Sequence, residues 1–288
     1  MKYAFIVDNR ATHAIRRLCT LLEVSPAGYY EWRDRPKSKR AQRDQDLATQ
    51  ISEIFQDSRK TYGSPRVHAD LRQRGERLGR KRVARLMREN GLQGRKRRAF
   101  RVTTDSNHNG PIAPNLLDRN FKVQKINSHW VGDVTYISTR EGWLYLATVL
   151  DLASRKVVGW SMKPHMRVDL VADALSAALK QRKPKRDALM FHSDRGSQYA
   201  SDAFIKLMKR HTITPSMSGK GQCWDNAVAE SFFSSLKGEL GDPIWENREV
   251  AQASIFEYIE VWYNRQRKHS TLGYLSPEAF EKQLATVD

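Results

Sequence analysis

Three carboxylates occupy positions where a charge needs a reason. Asp133 lies within Trp130-Val131-Gly132-Asp133-Val134-Thr135-Tyr136, an alternating stretch in which a buried charge is costly unless it is paired or holds a metal. Asp194 follows an apolar run in His192-Ser193-Asp194-Arg195-Gly196-Ser197-Gln198-Tyr199, at a strand end, where α/β sheets usually build their sites. Glu230 falls in Asp225-Asn226-Ala227-Val228-Ala229-Glu230-Ser231-Phe232-Phe233, where Asn226, Glu230, Phe233 and Lys237 share one helical face. Taken singly, each has an ordinary alternative: a buried arginine partner for Asp133, a turn cap for Asp194, a solvated helix face for Glu230. Asp151 at a strand end and Asp225 before a helix compete, although for Asp225 a capping role suffices. There is no Gly-x-x-x-x-Gly-Lys phosphate loop, no Gly-x-Ser-x-Gly elbow and no His-Glu-x-x-His helix. The chemistry left is that of a hard-oxygen site suited to Mg²⁺ or Mn²⁺, the metals used on phosphates.

The elements that must position these acids follow from periodicity. His129 to Ser138 alternates and is rich in Val, Tyr, Ile and Thr, Trp143 to Leu152 is nearly continuously apolar, and Lys156 to Met162 is a third short strand. Asp169 to Lys180 reads as an Ala-rich amphipathic helix, Ala188 to Ser193 as a buried strand, and Asp202 to Arg210 as a helix before a short strand through Ile213. Two long helices, Asp225 to Leu240 and Glu249 to about Lys268, close the pattern. A strand meander followed by alternating helix and strand predicts an α/β domain with a mixed sheet. Upstream, helical spacing marks Ala14 to Leu22, and Ser25-Pro26 starts a second helix to Arg33, together a helix-turn-helix pattern. A second such unit combines the stripe Leu47, Ile51, Ile54 and Phe55 with Arg66 to Arg74 and Lys81 to Asn90. Residues 103–127, with Gly110-Pro111 and Pro114, read as a linker.

Charge separates the two halves. Of the 288 residues, 50 are Lys or Arg and 32 Asp or Glu, a net charge of +18. Met1 to Arg101 alone holds 26 basic and 11 acidic residues, and basic runs such as Arg80-Lys81-Arg82 and Arg95-Lys96-Arg97-Arg98 look aimed at a polyanion. Arg82, Arg85 and Arg88 recur every three residues beside an apolar stripe, either a DNA-facing row or a solvated face. With 2 cysteines a stapled or zinc-ribbon fold is excluded. No apolar run spans a bilayer or makes a signal peptide, so a reducing cytoplasm is expected.

The flanks of the acids carry a resemblance. Asp133, Asp194 and Glu230, with 35 residues between the last two, resemble the catalytic triad of the retroviral-integrase superfamily. Trp130-x-x-Asp133-x-Thr135-Tyr136, His192-Ser193-Asp194-x-Gly196-x-Gln198-Tyr199 and Asp225-Asn226-Ala227-x-x-Glu230-Ser231-Phe232-Phe233-x-x-Leu236-Lys237 resemble the IS-three family of bacterial insertion-sequence transposases. Tyr263-Asn264 with Arg267, His269, Leu272-Gly273 and Ser276-Pro277 is similar to that family's C-terminal pattern, and Tyr62-Gly63-x-Pro65-Arg66-Val67 to its helix-turn-helix segment. The resemblance implies a ribonuclease H-like core with a mixed five-stranded sheet, preceded by an all-α helix-turn-helix region. It implies Asp133, Asp194 and Glu230 as both catalytic residues and ligands of two Mg²⁺ or Mn²⁺ ions, ~3.5–4 Å apart, in phosphoryl transfer. It further implies that hydrolysis frees a 3′-hydroxyl at an element end, which then attacks another phosphodiester. Lys237 would hold a DNA phosphate, Arg82, Arg85 and Arg88 would contact DNA, and His192 and Asn226 would steady the acids from behind. The expected units are 1–40 and 41–102 (helix-turn-helix), 103–127 (linker), 128–240 (catalytic core) and 241–288 (helical extension). Implied partners are double-stranded DNA of terminal repeats and target, further copies of the chain assembled on DNA, and an upstream-frame DNA-binding segment. The setting is the bacterial nucleoid, with no membrane. The chain opens at Met1 without a leucine heptad and so resembles the downstream product of such an element. A DNA-binding regulator without catalysis, a nuclease that cuts but never joins, and an inactive descendant are the rival readings.

Overall fold

The computed structural model describes residues 1–95, 110–219 and 223–286. Lys96-Arg97-Arg98 and the first part of the expected linker lie outside the described residues. Helices α1 (Lys2–Asn9), α2 (Ile15–Leu21) and α3 (Pro26–Asp34) close around a small core of their own, built from Ile6, Leu18, Cys19 and Tyr29. The expected Ser25 cap of α3 is present: its Oγ accepts the Gly28 N–H at 3.2 Å, with Pro26 in the first turn. Helix α1 went unread in the sequence: its packing stripe, Tyr3, Ile6 and Val7, is short and sits within an apolar run that also includes Ala4 and Phe5.

The second helical unit comprises α4 (Lys39–Asp57), α5 (Ser64–Gln73) and α6 (Arg80–Glu89). Its buried stripes, Leu47, Ile51 and Ile54 against Val67, Leu71, Val83, Leu86 and Met87, match the periodicity. This core is continuous with that of the sheet domain.

Strands β1 (His129–Thr139), β2 (Gly142–Asp151), β3 (Val157–Lys163), β4 (Met190–Ser193) and β5 (Thr214–Met217) form one sheet in the order β3-β2-β1-β4-β5. The first three run as an antiparallel meander, and β4 and β5 add parallel to β1. Period-two alternation sorts the side chains. Trp130, Ala147, Val149, Val158 and Phe191 pack under α7 (Val168–Arg182) and α8 (Asp202–Arg210). Val131, Ile137, Leu144 and Leu146 face α9 (Ala227–Leu240) and α10 (Arg248–Glu257). At Gly132 a Cβ would stand 2.3 Å from the Phe191 ring, so only glycine lets that ring lie across β1 one residue before Asp133.

Three expectations change in detail. The helix expected over 225–240 opens as a 3₁₀ turn, Cys223–Asn226, before α9 begins. The helix expected from Glu249 to about Lys268 is α10 followed by a π-helical stretch, Tyr258–Tyr263. This stretch buries Tyr258, Ile259, Trp262 and Tyr263. The described part of the expected linker is docked rather than loose. Leu117 is buried, and the Leu116 N–H donates to Ser216 Oγ at 3.0 Å. A last helix, α11 (Pro277–Ala285), starts at an N-cap made by Ser276. Among the described residues no helix is long and apolar enough to cross a membrane.

Candidate active site

Strand pairing brings the first two acids together. The parallel β1–β4 ladder pairs Val131 with His192; continued by two residues, it sets Asp133 beside Asp194, just beyond the end of β4. Asp133 Oδ1 accepts the Val134 N–H at 2.8 Å. Asp194 is aimed by a tight turn in which the Gly196 N–H donates to its Oδ1 at 3.0 Å. A Cβ at Gly196 would lie 3.1 Å from that same oxygen, which accounts for the Asp-x-Gly spacing. Gln198 anchors the turn, donating from Nε2 to the Met166 carbonyl at 3.0 Å. Glu230 comes from the first turn of α9, whose entry is tied to β1 by Asn226 Nδ2 donating to the Gly132 carbonyl at 3.4 Å. All three acids are partly exposed, so the site opens to solvent.

Electrostatics show that they share a field. Burial pushes the Asp133 carboxyl well above the usual range, and Asp194 and then Glu230 raise it further. Glu230 is raised by burial. The Tyr199 hydroxyl beneath is pushed up by burial and by Asp133 and Asp194. A buried carboxylate whose proton affinity is raised by a second and a third is all-oxygen donor chemistry of the kind a hard divalent cation takes, so the residue types fit the implied metal. Among the described residues no group of three His, Cys, Asp or Glu side chains is drawn together closely enough to hold a metal ion. Asp194 acts on Asp133 more strongly than Glu230 does.

The remaining sequence candidates fall in distinct places. His192 is buried between β4 and β5, its ring nitrogens 2.9 Å from Ser216 Oγ and 3.2 Å from Ser218 Oγ, and burial lowers its pKa to about 4. It is a neutral brace of the strand that delivers Asp194. Asn226 Oδ1 is buried and has no hydrogen-bond partner among the described residues. Lys237 lies half-buried two turns along α9, its ammonium lowered by burial and partly restored by Asp242. Arg82 and Arg85 grip Asp44 of α4, at 2.7 and 2.6 Å, and Arg85 also reaches Glu89, while Arg88 is exposed.

Both competing carboxylates have structural work. Asp151 accepts N–H groups from Asn127, Ala153 and Ser154, at 2.6, 2.9 and 3.1 Å, and the Trp130 indole N–H at 3.3 Å. Asp225 is not the cap of α9. Burial would raise its pKa, but Arg119 at 2.8 Å and the Gly219 N–H hold it low, and Asn115 donates to it at 2.9 Å. It latches the segment before β1 onto the junction of β5 and α9.

A second group, unread in the sequence, supports α9 from behind. Glu239 accepts from Tyr258 Oη, Trp262 Nε1 and Arg267 Nε at 3.1, 2.9 and 2.8 Å, and Arg267 also donates to Ser235 Oγ. Tyr263 packs edge-on against Phe232, with centroids 4.7 Å apart, and Asn264 pairs with both backbone groups of Val157. From the helix-turn-helix side, Arg95 Nη1 donates to the Gly238 and Glu239 carbonyls at the C-terminal end of α9. The Tyr-Asn…Arg…His spacing was the only sequence signal for this buttress.

A mixed five-stranded sheet with carboxylates at the β1–β4 junction and on the helix after the last strand is the architecture of the integrase-type polynucleotidyl transferases. The chain matches the family model "Integrase core domain" over residues 123–223 and again over 211–277, and "HTH-like domain" over 42–100. It is 43% identical over 286 residues to Transposase InsF for insertion sequence IS3A of Escherichia coli (strain K12), covering 98% of this chain and 99% of that protein. It is also 43% identical over 267 residues to the insertion element IS600 uncharacterized 31 kDa protein of Shigella sonnei, covering 92% of this chain and 98% of that one. The chain belongs to the IS3 family of insertion-sequence transposases. Among solved structures it is similar to a chain of the simian T-cell lymphotropic virus intasome, with a TM-score of 0.46, 12% identity, and coverage of 80% of this chain and 74% of that chain.

Proposed function

We propose that this transposase cleaves the ends of an insertion sequence and joins the freed 3′-hydroxyl to target DNA, with Asp133, Asp194 and Glu230 as its catalytic, metal-holding residues. The observation that carries this reading is the backbone register that sets Asp133 beside Asp194 while Asn226 ties the helix of Glu230 to the same strand. Asp133 and Asp194, neighbours across the β1–β4 register, would hold a divalent cation, Mg²⁺ or Mn²⁺, and Glu230 would complete a two-ion site from α9. Such ions, when bound, stabilise charge on the attacked phosphodiester and acidify an attacking water. The chain's own groups orient the site: the Gly196 N–H fixes the Asp194 carboxylate, and Gly132 and Phe191 set the height of Asp133. Partial exposure of all three acids leaves room for a DNA strand. Lys237, on the exit side of α9, and Arg88, exposed on α6, would meet phosphates, whereas Arg82 and Arg85 reach DNA only by sharing or leaving Asp44.

The partner is duplex DNA carrying the terminal repeats and target, bound by more than one copy of the chain, with an upstream-frame DNA-binding segment as a further partner in a bacterial cytoplasm. Incubating the full chain with a labelled element end and Mg²⁺, then sequencing the products, tests the reading. Joined products are expected. Cleaved ends without joining would make it a nuclease, and intact DNA with measurable end binding would make it a regulator.

A further inference from the structure

A cavity of about 530 Å³ opens at the seam between the second helical unit and the C-terminal segment. His68 and Arg72 of α5, Arg80 at the start of α6, and Gly273 and Tyr274 line it. The loop wall is held in shape by two successive left-handed residues, Gly273 at φ +63° and Tyr274 at φ +65°, and by the Tyr274 N–H donating to the His269 carbonyl at 2.8 Å. The helical wall is fixed by His68 Nε2, 2.9 Å from the Leu78 carbonyl. The two walls are joined at Lys268: its N–H donates to Tyr62 Oη at 2.7 Å, and its carbonyl accepts from Arg66 Nε at 2.9 Å.

No carboxylate lines this cavity. Asp70, the nearest acid in sequence to Arg72, is taken by Lys268 at 3.4 Å and Arg74 at 3.0 Å. Arg72 and Arg80 are exposed and, among the described residues, neither has an ion pair, whereas Arg82 and Arg85 are engaged by Asp44. Unneutralised guanidiniums in a concave, tyrosine-edged site favour an oxyanion whose geometry they can fork.

We propose that this cavity is a backbone-phosphate clamp for duplex DNA, shared between the helix-turn-helix unit and the C-terminal loop. It rests on the reading of the chain as a DNA-acting transposase, and places its phosphate contacts on a surface made jointly by the two parts. DNA held there is fixed relative to α9, because Arg95 and Tyr62 tie both walls to the body that carries Glu230.

Binding of a fluorescent element-end duplex by the full chain, measured against salt, tests this. Each phosphate neutralised contributes about 0.9 to the log–log slope. Arg72→Gln/Arg80→Gln is expected to flatten the slope by roughly two such steps. Arg72→Lys/Arg80→Lys keeps the slope, and Lys206→Gln/Lys209→Gln, an equal charge change on exposed α8 positions, leaves it at the wild-type value. Tyr274→Phe weakens binding without changing the slope. A wild-type slope in Arg72→Gln/Arg80→Gln overturns the clamp while leaving DNA binding intact, and a wild type that shows no salt-dependent binding overturns the DNA reading itself. Calorimetry with inorganic phosphate separates the sources: tight phosphate binding lost in the double variant, with the DNA slope unchanged, would assign the cavity to a free anion instead.

Discussion

Asn and Gln match Asp and Glu in shape but lack the charge that holds a divalent cation. Asp133→Asn, Asp194→Asn and Glu230→Gln are therefore each expected to abolish cleavage and joining while keeping the fold and end binding. Strand-transfer assays beside circular dichroism check this, and near-wild-type joining by any one variant removes that residue from the proposed triad. Asp151 provides the contrast. It is fully buried and accepts N–H groups from four residues, so the amide of Asp151→Asn would turn a donor toward donors. A loss of about 1–3 kcal/mol is expected, read from the denaturant midpoint, with catalysis retained by the folded fraction.

At the scale of elements, the position of Glu230 depends on how α9 is held. Burial alone would raise the Glu239 carboxyl, but Arg267 and the Trp262 indole hold it below its ordinary value. A carboxylate with a lowered folded pKa contributes stability that is present above its unfolded pKa, about 4.3, and is lost as pH falls through the folded value. Thermal melts between pH 6 and pH 3 should therefore show a loss beginning near 4.3, with this contribution absent in Glu239→Gln. The side chains of Glu239 and Arg267 are only 8% and 4% exposed, so removing one charge strands the other at a cost of about 3–5 kcal/mol. If Glu239→Gln melts like the wild type at neutral pH, the pair is not what supports α9.

For the whole molecule, the net charge of +18 opposes association of bare protein at low salt. On the proposed reading, insertion would join two element ends to one target and so would need two sites held together on DNA. Light scattering is expected to show a monomer or weak dimer alone and a dimer or larger assembly on end DNA. An unchanged protein mass at saturating DNA would rule this out. The segment from Arg248 to Tyr263 turns most of its apolar bulk inward, leaving Val250, Phe256 and Val261 exposed, so only its outer strip is available for contacts between copies.

The linear sequence alone determined the periodicities, the charge segregation and the three acidic motifs. Strand alternation and helix stripes are local consequences of side-chain direction; Asp133 stood out as a charge within a strand, Asp194 as an acid at a strand end, and Glu230 by the helix face it shares with Asn226, Phe233 and Lys237. Tertiary structure decided what each charge meets. Nothing in the spacing of Arg82 and Arg85 shows that Asp44, 38 residues before Arg82, lies across from them. Nor does it show that Asp225 answers to Arg119 instead of capping its own helix. The π-helical stretch at Tyr258–Tyr263 had no counterpart in the periodicity, because i, i+1, i+4 and i+5 apolar positions read the same as one face of an ordinary α-helix. The seam cavity likewise exists only once residues about 200 apart, Tyr62 and Lys268, are brought into contact. Local pattern is written in nearest neighbours, whereas ion-pair partners and cavities are set by long-range packing, which a pattern read along one chain does not contain.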